Sequence, residues 1–354
     1  MRIVVAMSGG VDSSVAAALL AEAGHEVIGL SMQLYDQRDG DTSYGSCCSL
    51  EDLYDAGRVA RRLDIPHYIV NFEREFQRTV VSNFVSEYVA GRTPIPCAHC
   101  NSDLKFATLL DRSLAYGAEV VATGHYARIG IDAETGRHLL RRGLDGAKDQ
   151  SYFLFSLTQE QLSRASFPVG GLSKDAVRGV ARRLGLAVAE KPDSQEICFV
   201  PDGDYAAFIE RKTGDIDSGG AIVSQSGERL GSHSGVHRFT VGQRKGLGLA
   251  AAQPLYVLQL RPAEKTVVVG PRPALERTSL TASQVNWISG VSPAEPLGVT
   301  AQIRHRHQPV DATVRALDND RVSVEFDAPV IAITPGQAVV FYMGDVVMGG
   351  GWIE

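Results

Sequence analysis

The first 200 residues alternate between short apolar runs and longer segments in which apolar residues follow helical spacing. RIVVAM (2–7), HEVIGLSMQL (25–34), HYIVNF (67–72) and AEVVATG (118–124) have the length and composition of strands. Helices are predicted between them over 11–24, about 50–63, from residue 73 to about 90, and 101–117. Gly24 would cap the first of these helices and Asn101 would start the last one. This alternation predicts an α/β fold with a doubly wound parallel sheet that binds ligands at the strand carboxyl ends.

Beyond about residue 203 the pattern changes to short strand-like runs separated by Gly and Pro turns. From about residue 278 the runs TASQVNWIS, VTAQIRHRH, DATVRALD, RVSVEFD, AVVFYMG and VVMGGGW show almost no helical periodicity. We therefore predict three domains: a nucleotide-binding α/β domain over 1–203, a small mixed or β domain over 204–273, and a C-terminal β-barrel over 274–354.

Residues 35–49 carry turn formers and no periodicity, so they are predicted to form a long loop. This loop contains Cys47 and Cys48. We interpret these two cysteines as incidental or loop-packing residues rather than catalytic ones.

Composition places the chain among ordinary globular proteins. Its 354 residues are 44% hydrophobic and 21% charged, and no run of about 18 apolar residues suggests a membrane span. The N-terminal sequence lacks the long apolar stretch of a secretory signal, so a cytoplasmic location is expected. A net charge of -6 argues weakly against nucleic acid as a partner, although RHLLRRG (137–143), HRFTVGQRKG (237–246) and IRHRHQ (303–308) are locally basic.

The stretch AMSGGVDSS (6–14) lies where the first strand meets the first helix. Gly9 and Gly10 allow a sharp turn, and their N–H groups together with the helix N-terminus form a positive concavity suited to phosphate oxygens. Ser8 and Ser13 add hydroxyl donors. Because Asp12 would repel phosphate unless Mg²⁺ lay between them, the pattern predicts a magnesium-bound polyphosphate. The nucleotide-binding residues expected here are Ala6, Met7, Ser8, Gly9, Gly10, Val11, Asp12 and Ser13.

The remaining cysteines are Cys97 and Cys100, two residues apart in TPIPCAHCN, and the isolated Cys198 in EKPDSQEICFV. A C-x-x-C pair alone is compatible with half of a zinc site, a redox switch, a cluster ligand pair or a reaction centre. In a reducing compartment, clustered cysteines more often bind metal or perform chemistry than form structural disulfides.

The stretch SGGVDSS matches the SGGxDS signature of the PP-loop ATP-pyrophosphatase superfamily, whose fold is of the adenine-nucleotide-hydrolase type. Together with GRTPIPCAHCN, ATGHYAR, KDQSYFLFSL, FPVGGLSK, KPDSQEICFV, FTVGQRKGLG and TPGQAVVFY, it resembles the tRNA-specific 2-thiouridylase family over nearly the whole chain. The resemblance implies ATP cleavage between the α- and β-phosphates and replacement of oxygen by sulfur at carbon 2 of the wobble uridine (position 34) in tRNAs for Lys, Glu and Gln. It also implies that Met32 packs on adenine and that Gly124 approaches the nucleotide.

By the same resemblance, Cys198 receives sulfur as a persulfide from a cysteine desulfurase or a sulfur-relay protein. Cys100 then attacks the persulfide, releases the sulfur and leaves a Cys100–Cys198 disulfide. We expect the helix predicted to start at Asn101 to favour the thiolate of Cys100.

Cys97 stands where other members of this family carry Asp, and the resemblance places it near the target base. Three thiolates would also suit a [4Fe–4S] cluster held by Cys97, Cys100 and Cys198, which leaves an iron-dependent thiolase as an alternative. A structural zinc site would require a fourth ligand.

The resemblance further implies contacts with the tRNA anticodon stem-loop. These are expected from His125 at the base pocket, from Lys148, Asp149 and Gln150, from Arg304 and His305, and from Gln337 at a base edge. A monomer is expected, with no membrane association. The alternatives from other classes are a PP-loop ligase with a small-molecule acceptor and a non-catalytic RNA-binding module with structural zinc.

Overall fold

The computed structural model describes residues 1–35, 50–193, 197–200, 202–214 and 218–354. Cys47, Cys48 and almost all of the predicted loop 35–49 lie outside the described residues.

Strands occur throughout the described chain and group into three sheets. In chain order they are β1 Arg2–Ala6, β2 Glu26–Gln33, β3 His67–Asn71, β4 Val120–Ala122, β5 Ala127–Ile131, β6 His138–Arg142, β7 Ala165–Ser166, β8 Gly220–Ser224, β9 Arg229–His233, β10 Tyr256–Arg261, β11 Thr266–Gly270, β12 Glu276–Trp287, β13 Leu297–Gln302, β14 Val310–Ala316, β15 Val322–Ile331, β16 Ala338–Met343 and β17 Val346–Ile353.

Helices lie mainly in the N-terminal half of the described chain. They are α1 Val11–Glu22, α2 Leu50–Arg62, α3 Glu73–Phe76, α4 Ser82–Val89, α5 Pro96–His99, α6 Leu109–Leu114, α7 Gln159–Ser163, α8 Lys174–Arg183 and α9 Tyr205–Thr213. π-Helical segments Gln77–Val81 and Cys100–Thr108 connect α3 to α4 and α5 to α6, and short 3₁₀ turns occur at Ser151–Leu154, Val236–Arg238, Pro262–Glu264 and Arg272–Leu275. No helix of the described residues is both long and apolar enough to cross a bilayer.

The N-terminal sheet is parallel, with the described strands in the order β3-β2-β1-β4-β7. Successive residues of β1 face opposite sides, as the two-residue period of a strand requires. Ile3 and Val5 enter a core shared with α1, α2 and α8, whereas Val4 and Ala6 enter a core shared with the helices that follow β3. Helices therefore cover both faces, and the predicted doubly wound α/β fold is confirmed.

The helix that carries Cys97 and Cys100 begins earlier than the sequence suggested. It starts at Pro96, in the first position, where a missing N–H costs nothing, and continues from α5 through the π-helical segment into α6. Asn101 is therefore inside the helix. Its buried side chain donates to the Phe153 carbonyl (3.1 Å) and accepts from Lys105 (3.0 Å). The prediction that Asn101 caps the helix and places Cys100 at its N-terminus is wrong.

The second sheet has the described strand order β10-β11-β8-β9 around a small apolar core that includes Ile222, Val257 and Val267. Parallel pairing between β11 and β8 combines with antiparallel pairing elsewhere. A small β unit in this part of the chain agrees with the predicted fold class.

The third sheet closes on itself. Within the described residues, β12, β15, β14, β13, β16 and β17 pair in sequence, and β17 pairs back with β12 to complete a barrel. The predicted C-terminal β-barrel is thus confirmed. Strands β5 and β6 form a hairpin that adds to the other half of β17, where Val346 faces Arg141. This hairpin, which the sequence did not predict, joins the α/β unit to the barrel.

Candidate active site

The turn between β1 and α1 leaves the start of the helix without a side-chain cap. Gly9 has a positive φ of 75°, and Gly10 occupies the N-cap position without any side-chain hydrogen bond to the first turn. The hydroxyls of Ser13 and Ser14 instead donate to the Gly10 carbonyl at 3.2 and 2.8 Å. The first N–H groups of α1 therefore lack a side-chain cap, which suits the binding of an anion.

Two neighbouring backbones press directly against this turn. A Cβ on Gly9 would lie 2.2 Å from the Asp52 carbonyl oxygen in α2, and a Cβ on Gly124 would lie 2.5 Å from the Ser13 nitrogen. The glycine after β4 thus permits a close approach to the first turn of α1. Gly124 therefore lies beside the predicted nucleotide loop.

Asp12 is held by a lysine far away in the sequence. The Lys174 ammonium donates to Asp12 Oδ1 at 2.8 Å and to Oδ2 at 2.9 Å, and the Tyr126 hydroxyl donates to Oδ1 at 2.8 Å. Lys174 is the first residue of α8, where its charge meets the positive end of the helix dipole. The carboxylate of Asp12 offsets that unfavourable position.

Asp193 is a second carboxylate that pairs with Lys174. It accepts from Lys174 at 2.6 Å and from Lys148 at 2.6 Å, while Arg178 lies 3.6 Å away. Burial opposes ionisation, but the hydrogen bonds from Lys148 and Lys174 prevail and lower the pKa of Asp193. Two lysines that could each face a phosphate thus converge on one carboxylate.

The neighbouring residue Lys191 is anchored on the other side, to α2. Its ammonium donates to Asp52 at 2.7 Å and to Asp55 at 2.6 Å. Burial acts to lower the pKa of Lys191, but the hydrogen bonds that it donates to these two carboxylates prevail and raise that pKa. The stretch 191–193 is therefore fixed by opposite charges at both ends, five residues ahead of Cys198.

Cys100 and Cys198 are both half-buried and pack against the same hydrophobic cluster, although 97 residues separate them in sequence. That cluster also includes Ala6 and Met32, which the sequence assigned to the nucleotide site. Cys97, in the first turn of the helix, is exposed.

The helix that carries these cysteines also contacts the C-terminal barrel. The His99 ring stacks on Trp352 of β17 with 4.7 Å between centroids and 1° between planes, and His99 Nδ1 lies 3.2 Å from Asp103 Oδ2. The cysteine pair is thus held between the two units rather than on a free loop.

The metals predicted from the sequence require particular sets of ligand side chains. Among the described residues, no group of three or more Cys, His, Asp or Glu side chains is arranged to hold a metal ion. Cys97, Cys100 and Cys198 therefore do not form a ready three-thiolate site for a [4Fe–4S] cluster. A single carboxylate such as that of Asp12 is sufficient for Mg²⁺, because this ion commonly takes one or two carboxylates and completes its coordination shell with phosphates and water.

His125 follows β4 and lies among aromatic rings. Burial, reinforced by the charge of Lys105, holds the pKa of His125 well below its ordinary value, so the ring is neutral near pH 7. Its Nδ1 lies 2.6 Å from the Thr123 hydroxyl, and Phe106 and Phe167 contact the ring. A neutral ring beside aromatic side chains is compatible with the predicted base pocket.

Asp149 and Gln150 are engaged within the protein. The buried carboxylate of Asp149 accepts from Arg142, from the Ser151 hydroxyl and from the backbone N–H groups of Gly143 and Ser151. Gln150 accepts from the backbone N–H of Tyr126 at 3.0 Å. These bonds give Asp149 a structural role in this conformation rather than a surface one.

Arg304 and His305, the barrel residues predicted to contact tRNA, also make hydrogen bonds within the protein. Arg304 donates to the carbonyls of Ile331 and Ala332 at 3.0 and 2.9 Å, and burial lowers its pKa. His305 Nε2 donates to the Asp149 carbonyl at 3.2 Å, and its ring contacts Phe153. In the same run, Arg306 is exposed.

Gln337 ties the barrel to the segment that precedes the cysteine pair. Its side-chain amide donates to the Thr93 carbonyl at 2.9 Å, while the Thr93 N–H donates to the Pro335 carbonyl at 2.8 Å. Gly336, with a positive φ of 86°, packs so closely that a Cβ would lie 2.9 Å from the Thr93 nitrogen. The TPGQ turn therefore positions the segment leading to Cys97 and Cys100.

Three residues of this charge network were not predicted from the sequence: Lys174 and Tyr126, which contact Asp12, and Asp193, which contacts Lys174. One signal was available, because Ser173 caps α8 and a lysine directly after an N-cap is electrostatically unfavourable unless an acid compensates it. Tyr126 and Asp193 gave no comparable signal, since their partners are more than 15 residues away in sequence.

Comparisons with known proteins agree with this arrangement. Residues 1–202 match the family model described as "tRNA methyl transferase HUP domain", residues 206–271 match its PRC-barrel domain, and residues 277–353 match an aminomethyltransferase β-barrel domain. A Geotalea uraniireducens protein named tRNA-specific 2-thiouridylase MnmA is 54% identical over 358 residues, covering 100% of this chain and 95% of the relative. The chain belongs to the tRNA-specific 2-thiouridylase family.

Two further relatives of the same name extend this result. The Koribacter versatilis protein is 53% identical and covers 99% of this chain and 98% of its own length. The Solibacter usitatus protein is 54% identical, with 99% of both chains covered. The family model carries a methyl transferase description, whereas these full-length relatives are named thiouridylases, and full-length identity above one half decides the family.

Similarity to solved structures is partial. A 4-thiouridine synthetase bound to RNA and ATP has a TM-score of 0.35 at 17% identity and covers 60% of this chain and 50% of that chain. An NMN synthetase from Francisella tularensis has a TM-score of 0.34 at 17% identity and covers 60% of this chain and 76% of that chain. Neither adds to the assignment.

Proposed function

We propose that this protein is an ATP-dependent tRNA 2-thiouridylase that replaces oxygen with sulfur at carbon 2 of the wobble uridine, position 34, in tRNAs for Lys, Glu and Gln. The observation that supports it most directly is the common hydrophobic cluster. Ala6 and Met32 of the nucleotide side belong to it, and Cys100 and Cys198 pack against it. Nucleotide activation and sulfur chemistry thus have a shared structural base.

In the first step, uridine O2 attacks the α-phosphorus of ATP, the bond to the β-phosphate breaks, and pyrophosphate leaves. The open N-terminus of α1 would receive phosphate oxygens through its backbone N–H groups. Lys174, which contacts Asp12 of this loop, and Lys148 both face Asp193 in this structure and would exchange that carboxylate for phosphate. Asp12 would hold Mg²⁺, which neutralises phosphate charge, and Met32 would pack on adenine.

In the second step, sulfur replaces the adenylated oxygen. A persulfide on Cys198, supplied by a cysteine desulfurase or a sulfur-relay protein, is attacked by the Cys100 thiolate at the inner sulfur. A Cys100–Cys198 disulfide forms and hydrosulfide leaves. Hydrosulfide then attacks carbon 2 of the adenylated uridine, and AMP departs with the former carbonyl oxygen.

Recognition of tRNA would use several parts of the chain. A base inside the anticodon loop must leave its stack to reach these groups, and the aromatic surroundings of neutral His125 suit such a base. Contacts from Lys148, Gln150, His305 and Gln337 remain part of the proposal. For the arginine run of the barrel, exposure favours Arg306 over the inward-facing Arg304.

The domain limits at 203/204 and 273/274 belong to the same proposal, with tRNA contacts in the second and third domains. We also propose that the enzyme acts as a monomer in the cytoplasm.

The test is a thiolation assay with unmodified tRNA for Glu, Mg–ATP, cysteine desulfurase and cysteine, followed by nucleoside mass spectrometry. We expect 2-thiouridine at position 34 only when ATP is present. Cys100→Ser and Cys198→Ser should form none, and a tRNA with cytidine at position 34 should remain unmodified. ATP-independent product, or full activity of either serine variant, would contradict the mechanism.

A further inference from the structure

We propose that Cys97 is a resolving cysteine: it attacks Cys100 of the Cys100–Cys198 disulfide and moves the oxidised bond to an exposed Cys97–Cys100 pair. This inference rests on the proposed function, because it begins from the disulfide that sulfur transfer leaves behind. It concerns how the enzyme returns to its reduced state for the next turnover.

The two cysteines lie at a distance that a disulfide can span. Cys97 to His99 belong to α5, and Cys100 keeps helical backbone angles. Residues three apart in an α-helix have Cα atoms about 5 Å apart, within the roughly 4.4–6.8 Å found across disulfides. The pair can therefore close without rearranging the helix.

The surroundings of the two thiols differ in the way that a relay requires. Cys97 is exposed and lies in the first turn of the helix, directly after Pro96. The N-cap residue is Ile95, whose side chain makes no capping hydrogen bond. The helix dipole favours negative charge at this end of the helix, and hence the attacking thiolate. Cys100 is half-buried against the cluster that also contacts Cys198.

The partial burial of Cys100 and Cys198 gives such a relay its purpose. Both side chains pack on the interior cluster, so a bond between them is less accessible to a bulky external reductant than a bond that includes the exposed Cys97. A Cys97–Cys100 bond would include one exposed sulfur. A reductant of the dithiol class could then attack at the surface.

The exchange balances without any further oxidant. The Cys97 thiolate attacks the Cys100 sulfur, the Cys100–Cys198 bond breaks, and Cys198 leaves as a thiolate that is ready to accept sulfur again. One disulfide is exchanged for another. The external dithiol then reduces the Cys97–Cys100 bond and is itself oxidised to a disulfide.

Peptide mapping of the full-length enzyme tests this step. Cys198 is loaded with persulfide and allowed one turnover with tRNA and Mg–ATP under anaerobic conditions with a ferrous-iron chelator, and thiols are then alkylated. Cys97 and Cys100 share the tryptic peptide 93–105, whereas Cys198 lies in another. We expect peptide 93–105 to carry an internal disulfide and Cys198 to be alkylated, whereas Cys97→Ser should leave peptide 93–105 cross-linked to the Cys198 peptide.

A rate measurement gives the size of the effect. A tethered thiol acts at an effective concentration on the order of millimolar. With external dithiol at about 0.1 mM, breakage of the Cys100–Cys198 bond, followed as the return of an alkylatable Cys198 thiol, should therefore slow about tenfold in Cys97→Ser.

Three outcomes would overturn the proposal or its basis. A wild-type enzyme that makes 2-thiouridine but retains the Cys100–Cys198 cross-link has no resolving step. An internal disulfide that forms equally in Cys198→Ala arises from direct oxidation and also refutes it. Loss of 2-thiouridine from persulfide-loaded wild type under these conditions refutes the proposed persulfide function itself, and with it the resolving role.

Discussion

Replacing Lys174 with methionine should destabilise the nucleotide domain more than any single surface ion pair can. Methionine retains much of the side-chain volume but removes the ammonium that lies between Asp12 and Asp193. Asp12 would keep the Tyr126 hydroxyl, and Asp193 would keep Lys148. Two carboxylates would nevertheless face each other without the cation that now separates them.

The magnitude follows from the distances and burial. Lys174 contacts Asp12 at 2.8 Å and Asp193 at 2.6 Å, and its side chain is only 10% exposed. Each contact is worth up to about 6 kcal/mol at an effective dielectric near 20, but desolvation of the buried ammonium offsets much of this. Breaking such a buried pair typically costs about 3–5 kcal/mol. Because both carboxylates remain partly hydrated, we expect a loss of about 2–3 kcal/mol.

The assay is urea unfolding followed by far-ultraviolet circular dichroism, with Arg182→Met as the control. Arg182 lies on the same helix but forms a solvent-exposed pair with Glu190, so its loss should leave the free energy of unfolding nearly unchanged. Adding Asp12→Asn to Lys174→Met should recover about 1 kcal/mol, because one uncompensated carboxylate is removed. A Lys174→Met effect no larger than that of the control would refute the assigned charge network.

The difference in unfolding free energy between wild type and Lys174→Met should depend on pH. The pKa of Asp193 is lowered below its ordinary value of 3.8 in the folded protein. Its contribution is therefore present above about pH 4 and disappears as the pH falls through the lowered value. The stability gap between wild type and Lys174→Met should narrow in acid below pH 4, whereas a gap that widens there would contradict the network.

Three further predictions concern the rest of the site. Gly124→Ala should weaken ATP binding about tenfold or more by calorimetry, since its Cβ would overlap the first turn of α1, whereas Gly171→Ala, with open space around it, should not. Arg306→Ala should reduce the salt dependence of tRNA binding by about one unit in log–log slope, whereas Arg304→Ala should instead lower the free energy of unfolding by about 2 kcal/mol through two lost carbonyl bonds. His125 stays neutral in the folded protein because its pKa is lowered, whereas the unfolded state takes up a proton below pH 6.5. The free energy of unfolding should therefore fall by up to about 1.4 kcal/mol for each pH unit below 6.5. In pH-dependent unfolding, His125→Asn should remove this contribution to the slope of stability against pH.

Local patterns were sufficient to predict the sheet, the nucleotide loop and the barrel. The alternation of Ile3, Val4 and Val5 between two cores, and the glycines that allow the turn at 9 and 10, are properties of short stretches. They need no knowledge of distant partners.

The features that the sequence did not reveal depend on contacts between distant residues. RHLLRRG was interpreted as a basic run, yet Leu140 is fully buried in β6 while Arg141 pairs with Asp345 of the barrel. The helix start at Pro96 was missed because Asn101 is a stronger statistical N-cap than Ile95. Only its tertiary bond to the Phe153 carbonyl explains why Asn101 lies inside the helix.

The role of the inward-facing polar residues was likewise beyond local inference. Arg304 is a residue type that contacts RNA phosphates, and Asp149 suits a ribose hydroxyl or Mg²⁺, but Arg304 donates to barrel carbonyls and Asp149 accepts from Arg142. The adjacent residues Lys148, Gln150 and His305 are half-buried, so these segments can still face RNA. Residue type alone could not distinguish polar residues that bond inside the protein from polar residues that face solvent.

Pyrophosphate release tests the central claim most directly: one site activates uridine with ATP and a separate thiol supplies the sulfur. Wild type and Cys198→Ala should both release pyrophosphate from Mg–ATP only when unmodified tRNA is present, and only wild type should convert the adenylated uridine into 2-thiouridine. Pyrophosphate release that does not depend on tRNA, or its loss in Cys198→Ala with the fold intact, would contradict the account.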